Sequence, residues 1–259
     1  MDAFAPASVT AVFAPDDTES GSRGASVALE DGVTVSVAAA EETTVTVDGE
    51  PASFEPVAGV LERLGVAAAV DVQPDTPIGA GFGASGAATL ATALAANAQF
   101  DLGNSRDELL SHAHDAEVDA GTGLGDVFVQ EAGGLVYNVG NGRQRVETDE
   151  PVEYASYGGL PTADALADEE LMATVREEGG AVLDSLPDPP TVRAVVERSW
   201  PFARALGLPT ERVVEDVARV EAEGGVGTMA MLGETVVAVD CEGVLPNRTR
   251  VSPAGARLL

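Results

Sequence analysis

The stretch from Pro77 to Asn97, PIGAGFGASGAATLATALAAN, constrains this chain more than any other. Four glycines, Gly79, Gly81, Gly83 and Gly86, lead straight into a run of Ala, Leu and Thr in which Leu90 and Leu94 share one helix face. Backbone amides bare of side chains then meet the positive end of a helix dipole, which makes a site for an anion, most often phosphate. The same residues also suit a tight turn before a closely packed helix. The surrounding chain has to decide.

Three phosphate-binding schemes fall away on composition and spacing. All 14 basic residues are arginine. A P-loop needs a lysine on the β- and γ-phosphates and a protein kinase needs one on a strand, so neither scheme is available. Gly81 to Gly86 also satisfies G-x-G-x-x-G, but a dinucleotide fold places a strand ending in an acidic residue after the helix. Here Ser105 and Glu108 form a capping box that predicts a second helix running to about Val118. Asp101 falls in the turn between the two helices.

The first fifty residues alternate short β-like runs at 8–13, 25–29, 33–37 and 43–47, with turn chemistry at Gly21-Ser-Arg-Gly24 and Asp48-Gly49. A helix over 57–64 and a buried strand over 66–72 follow. After the second helix comes the glycine loop Gly121 to Gly125, then Asp126, and Gly133-Gly134 opens a strand over 135–139. Acidic residues around Pro151 mark a boundary between lobes 1–150 and 151–259. The second lobe is expected to hold a strand over 152–157, helices near 168–178, 191–206 and 209–221, the segment Gly224-Gly-Val-Gly-Thr228, and a strand over 236–239. Composition and periodicity support mixed α/β.

Three residues invite chemistry, and each has a plainer role open to it. Ser85 suits Mg²⁺ ligation beside phosphates or the N-cap of the helix. Glu117 lies beside the apolar stripe Leu109, Ala113, Ala116 and Ala120, as a metal ligand or a surface glutamate. Asp126 is placed for a general base or a helix N-cap. His112 and His114 are two apart on a helix and face different ways, so they form no paired metal site. Cys241 is the single cysteine and has no internal partner for a disulfide. With no apolar run of membrane-spanning length and no signal-peptide pattern at the start, a cytoplasmic protein is expected.

These segments, in this order, resemble the GHMP family of small-molecule kinases. Pro77-x-Gly-Ala-Gly-Phe-Gly-Ala-Ser-Gly is similar to that family's phosphate-binding motif, Thr122 to Asp126 with Gly133-Gly134 to its second segment, and Gly224 to Thr228 to its third. The resemblance implies a two-lobed α/β (α+β) fold, with a left-handed βαβ unit in the first lobe and a ferredoxin-like second lobe. It implies ATP held by Pro77, Gly79, Gly81, Phe82, Gly83, Ala84, Ser85, Gly86, Gly225, Gly227 and Thr228. Mg²⁺ falls on Ser85 and Glu117, and Asp126 becomes the catalytic carboxylate. Gly21 to Gly24, His112 to Val118 and Gly227 to Met231 look most like the archaeal pantoate kinases within the family. That implies phosphorylation of pantoate for coenzyme A synthesis, with Ser22, Arg23 and His114 at the substrate. Dimers are frequent among such kinases, which implies a homodimer. The same motifs serve kinases of homoserine, mevalonate and shikimate, and a nucleotide binder without turnover would carry them too. Three positions depart from the pattern: Ser8 stands where relatives often carry a basic residue, Ala84 replaces a serine, and Asn138 stands where an arginine serves the substrate carboxylate. Arg143, Arg145 and Arg23 are the candidates to replace that arginine.

The charge adds two expectations. With 43 acidic residues and a net charge of −29, the surface repels nucleic acid and anionic lipid, so neither is an expected partner. Self-repulsion on that scale needs screening by salt. A thermal melt in molar KCl should therefore exceed one in low-salt buffer by several degrees; equal melting temperatures would remove salt adaptation.

Overall fold

The computed structural model describes residues 1–15, 22–123, 125–159 and 168–259. Two sheets organise it. In the larger, β1 (Asp2–Pro15) and β2 (Ser22–Ala39) pair antiparallel along nearly their whole length. β2 also pairs with β5 (Ala68–Pro74), and β3 (Thr44–Val47) lies parallel to β5 across α1 (Glu55–Leu64), a βαβ unit. β4 (Glu50–Pro51) extends the edge beyond β3. β6 (Leu135–Asn138) pairs with the first part of β2, β7 (Gln144–Val146) pairs with β6, and β12 (Arg257–Leu258) returns the chain end to β1.

The runs expected separately at 25–29 and 33–37 form the one strand β2. The register steps from Ala7 opposite Leu29 to Pro6 opposite Gly32, so Glu30 and Asp31 bulge out without ending the strand. Gly32 permits this because a Cβ there would run into the Ala5 carbonyl and the Phe4 ring. Gly21 of the expected turn lies outside the described residues, and Ser22 to Gly24 belong to β2.

The smaller sheet holds four strands in the order β11 (Asn247–Arg250), β8 (Pro151–Gly159), β10 (Gly233–Val239) and β9 (Val226–Met229). This fourth-first-third-second order is that of ferredoxin-like sheets, and a loop over 240–246 joins the third strand to the fourth. Helices α5 (Glu169–Ser185), α6 (Val192–Ala205) and α7 (Glu211–Ala222) are capped by Asp168, Thr191 and Thr210. α5 runs well past the end expected near 178. Gly179 does not break it, because that glycine lies against the Phe13 carbonyl, where a side chain would not fit. Close contact with β1 outweighs the usual helix cost of glycine.

One core fills the space between the sheets and α5–α7, with Val9, Leu29, Leu135, Phe202 and Met229 at its centre. A second lies on the opposite face of the large sheet, under α1, α2 (Ala84–Gln99) and α3 (Arg106–Asp119). The alanines of α2 are buried nearly all round, which lets α1 and α3 approach it closely. α3 carries the expected capping box, Ser105 and Glu108 each closing on the other. Among the described residues no helix is long and apolar enough to cross a membrane.

The two sheets meet at the glycine stretch. Thr235 on β10 is fully buried and donates from Oγ1 to the Ala80 carbonyl at 2.7 Å. Met231 N–H donates to the Thr10 carbonyl on β1 at 2.9 Å. A Thr235→Val enzyme keeps its shape but leaves the Ala80 carbonyl unpaired, so stability measured by urea unfolding should fall by about 1–3 kcal/mol.

Candidate active site

A cavity of about 400 Å³ opens between the glycine stretch, the ends of α3 and α4 (Asp126–Ala132), the start of β2, strand β6 and Met231-Leu232. That is large enough for a small-molecule site. Gly79, Gly81, Gly83, Ala84 and Ser85 line one wall. Gly79, Gly81 and Gly83 all take positive φ, which glycine adopts without strain. Gly83 is the N-cap of α2 and no side chain caps this helix, so the amides of its first turn are open to a ligand. No acidic residue occupies that turn to compete with an anion.

Neither Ser85 nor Asp126 serves as a helix cap. Gly83 and Gly125 hold those positions, without side-chain bonds. Ser85 Oγ instead donates to Glu117 Oε1 at 2.9 Å. Glu117 is buried, not a surface residue, and also accepts from Thr89 Oγ1 at 2.6 Å and Thr122 Oγ1 at 2.8 Å. Burial pushes its carboxyl above the ordinary glutamate range; the three hydroxyls pull it down, and the nearby Asp126 charge adds to the rise.

Asp126 begins α4 and faces the cavity. Its Oδ1 accepts from Ser8 Oγ at 2.9 Å and, at 3.5 Å, from Thr10 Oγ1. Oδ2 has no hydrogen bond among the described residues. Burial raises this carboxyl above the usual aspartate range, against the lowering effect of Ser8 and Thr10. Ser8 therefore meets Asp126 as a neutral donor at the position where a basic residue was expected.

On the far wall, the His114 and Phe128 rings lie 4.8 Å apart between centroids and are tilted by 50°, and the Arg143 guanidinium lies 3.8 Å from the centre of the Phe128 ring. Burial holds His114 below the ordinary histidine value, so it is largely neutral at pH 7. Arg143 pairs with no carboxylate among the described residues, although it faces the cavity. Arg23 lines the cavity too, but its guanidinium is held by Asp184 at 2.8 Å. Arg145 reaches the carbonyls of Gly133 and Pro253 and does not line the cavity. Ser22 and Asn138 complete this wall.

The remaining expected residues are placed elsewhere. Phe82 is buried against Tyr154, edge to face at 5.1 Å, and Gly86 packs on Gln130. Pro77 lies on the surface beside the loop. Gly225, Gly227 and Thr228 do not line the cavity: Gly227 and Thr228 belong to β9, and the Thr228 hydroxyl bonds that of Ser199 in the core. The third glycine segment forms a strand, because its small residues let β9 lie against Val217 and Val220 of α7. Met231 and Leu232, just beyond that strand, take the place at the cavity.

Residues 54–134 match the family model for the GHMP kinases N terminal domain. Over 230 residues the chain is 31% identical to the pantoate kinase of Thermococcus kodakarensis, covering 80% of this chain and 76% of that one. The chain belongs to the GHMP kinase family, among its pantoate kinases. The pantoate kinase of Methanospirillum hungatei is 28% identical over 281 residues, covering 99% and 96% of the two chains. A solved structure described as a phosphotransferase related to the CoA biosynthesis pathway superposes on the kinase with a TM-score of 0.83 at 26% identity, over 99% of this chain and 97% of that one. A homoserine kinase from Cytophaga hutchinsonii shares the fold, with a TM-score of 0.69 at 16% identity over 100% and 97% of the chains.

Membership of this family implies ATP as the phosphoryl donor. Among the described residues no cluster of three acidic, histidine or cysteine side chains could cage a metal. The paired hydroxyl and carboxylate of Ser85 and Glu117 fit Mg²⁺, which takes one or two protein oxygens beside phosphates and water. Sequence reasoning missed Thr10, Thr89, Thr122, Phe128 and Gln130. The signal was periodicity: Thr89 is one helix turn from Ser85, Gln130 one turn from Asp126, and Thr10 is two residues from Ser8 on the same strand face.

Proposed function

We propose that this kinase transfers the γ-phosphate of ATP to the primary hydroxyl of pantoate, forming 4-phosphopantoate and ADP. One observation carries the reading: the open N-terminus of α2, an Asp126 oxygen with no hydrogen-bond partner among the described residues and an Arg143 guanidinium with no carboxylate partner among them all face one cavity. The first suits phosphates, the second a hydroxyl proton, and the third the carboxylate of a hydroxy acid. Asp126 takes the proton as the hydroxyl oxygen bonds to the γ-phosphorus, and the bond from that phosphorus to the bridging oxygen breaks to release ADP. Ser85 and Glu117 would hold Mg²⁺, which neutralises charge on the phosphates. Ser22 and His114 bound the substrate on the β2 and α3 sides. Division into lobes at residue 150, a homodimer and a cytoplasmic location belong to the same proposal, supported by the acidic break near Pro151 and the family resemblance.

A coupled ADP-release assay over pantoate, homoserine, mevalonate and shikimate, run in molar KCl, tests the substrate; ADP formed only with another alcohol would overturn pantoate. Asp126→Asn should lower turnover by about 100-fold or more while calorimetric ATP affinity holds. A general base works only when ionised, so turnover is present above the Asp126 pKa and lost as pH falls through it. The raised pKa therefore sets the acid limb of the rate profile above the ordinary aspartate range. Arg143→Ala should raise the pantoate KM by about 10- to 100-fold, the usual cost of a charged hydrogen bond. Arg23→Ala should raise it less, because Asp184 already shares that guanidinium.

A further inference from the structure

We infer that Gln130 is a positioning residue that holds the phosphate-binding loop and the Asp126 carboxylate in one register, acting through Ser8. The inference rests on the roles just given to the loop and to Asp126.

Gln130 is completely buried on α4, one helix turn after Asp126. Its Nε2 donates to the Gly83 carbonyl at 2.7 Å and to Ser8 Oγ at 3.2 Å. The Gly83 carbonyl fixes the orientation of the amide, because the reverse would set two acceptors together. Direction then follows along the chain. Ser8 Oγ accepts from Gln130, so its own proton is directed to Asp126 Oδ1 at 2.9 Å. With Oδ1 engaged from the interior, Oδ2 is left toward the cavity.

The other end of the relay is the N-cap of α2, so one amide touches both halves of the reaction. Gly83 carries φ 58°, and a Cβ there would meet Ser8 Oγ and crowd Gln130 Nε2. Ser8 also donates its backbone N–H to the Phe82 carbonyl at 2.8 Å, fastening the loop to β1. A role in packing alone does not account for the glutamine. Gln130 Oε1 is buried with no hydrogen-bond partner among the described residues, a costly arrangement that an apolar side chain of the same length would avoid. A Cβ on residue 86 would come within 2.9 Å of that oxygen, so the glycine there leaves it room.

The test compares Gln130→Met, Ser8→Ala and the double variant in steady-state kinetics with ATP and pantoate. Gln130→Met should lower kcat by about 10- to 100-fold, the cost of misplacing a reacting group, and also raise the ATP KM, since Gly83 loses its clamp. Ser8→Ala should lower kcat to a similar degree with the ATP KM nearly unchanged. The double variant should fall within about twofold of the worse single one, because both changes cut the same chain. Ser8→Thr, which keeps the hydroxyl, should recover most of the loss. A Gln130→Met enzyme that melts lower but keeps wild-type kcat and ATP KM would overturn the inference, as would losses that multiply in the double variant. If Gln130→Met does not fold, wild-type kcat in Ser8→Ala overturns it. Asp126→Asn separates the two readings: retained turnover there removes the base itself, whereas an inactive Asp126→Asn beside an unaffected Gln130→Met removes only the relay.

Discussion

Everything at this site depends on how the carbonyls of one glycine loop are held. Thr235 takes the carbonyl of Ala80, the Ser8 amide that of Phe82, and Gln130 that of Gly83. These three partners come from the small sheet, the large sheet and α4. With these three acceptors fastened, Gly79, Gly81 and Gly83 line the cavity, and the uncapped first turn of α2 continues that surface. Left-handed glycines make the geometry affordable in conformational terms, and the surrounding contacts make it rigid.

The electrostatics follow from that scaffold. Two carboxylates, buried Glu117 and half-buried Asp126, lie close enough for the charge of Asp126 to raise the Glu117 carboxyl, an unfavourable grouping in a chain of net charge −29. Neutral hydroxyls moderate it: three surround Glu117, and two approach Asp126. Positive charge is confined to the opposite wall. There Arg143 lies on the Phe128 ring, away from the acidic groups that pair with arginines elsewhere on the surface. The arrangement leaves the Arg143 guanidinium at the cavity with no carboxylate partner among the described residues.

Much of this was legible in residue order. The glycine loop and its helix, the capping box at Ser105, the exclusion of a P-loop and the roles open to Ser85, Glu117 and Asp126 all follow from local pattern, because caps, turns and helix faces are short-range properties. Long-range contacts decided the rest. Glu30 and Asp31 look like a turn until β1 is seen running past them. Gly179 looks like a helix end until the Phe13 carbonyl is found against it. The Gly224–Thr228 segment reads as a glycine-rich loop until α7 is packed on it and Val226–Met229 pairs as β9.

The sequence by itself determined that this chain has a glycine-rich helix start suited to an anion, carboxylates at Glu117 and Asp126 open to chemistry, and no lysine, since these depend on residue type and spacing alone. Only the tertiary structure decided which arginines line the cavity and which of these a carboxylate holds, which glycines reach the cavity and how Gln130 joins the loop to Ser8 and Asp126. Those answers turn on side chains up to 161 residues apart in sequence, as for Arg23 and Asp184. No local period encodes the meeting of such residues; the packing of two sheets on a shared loop creates it.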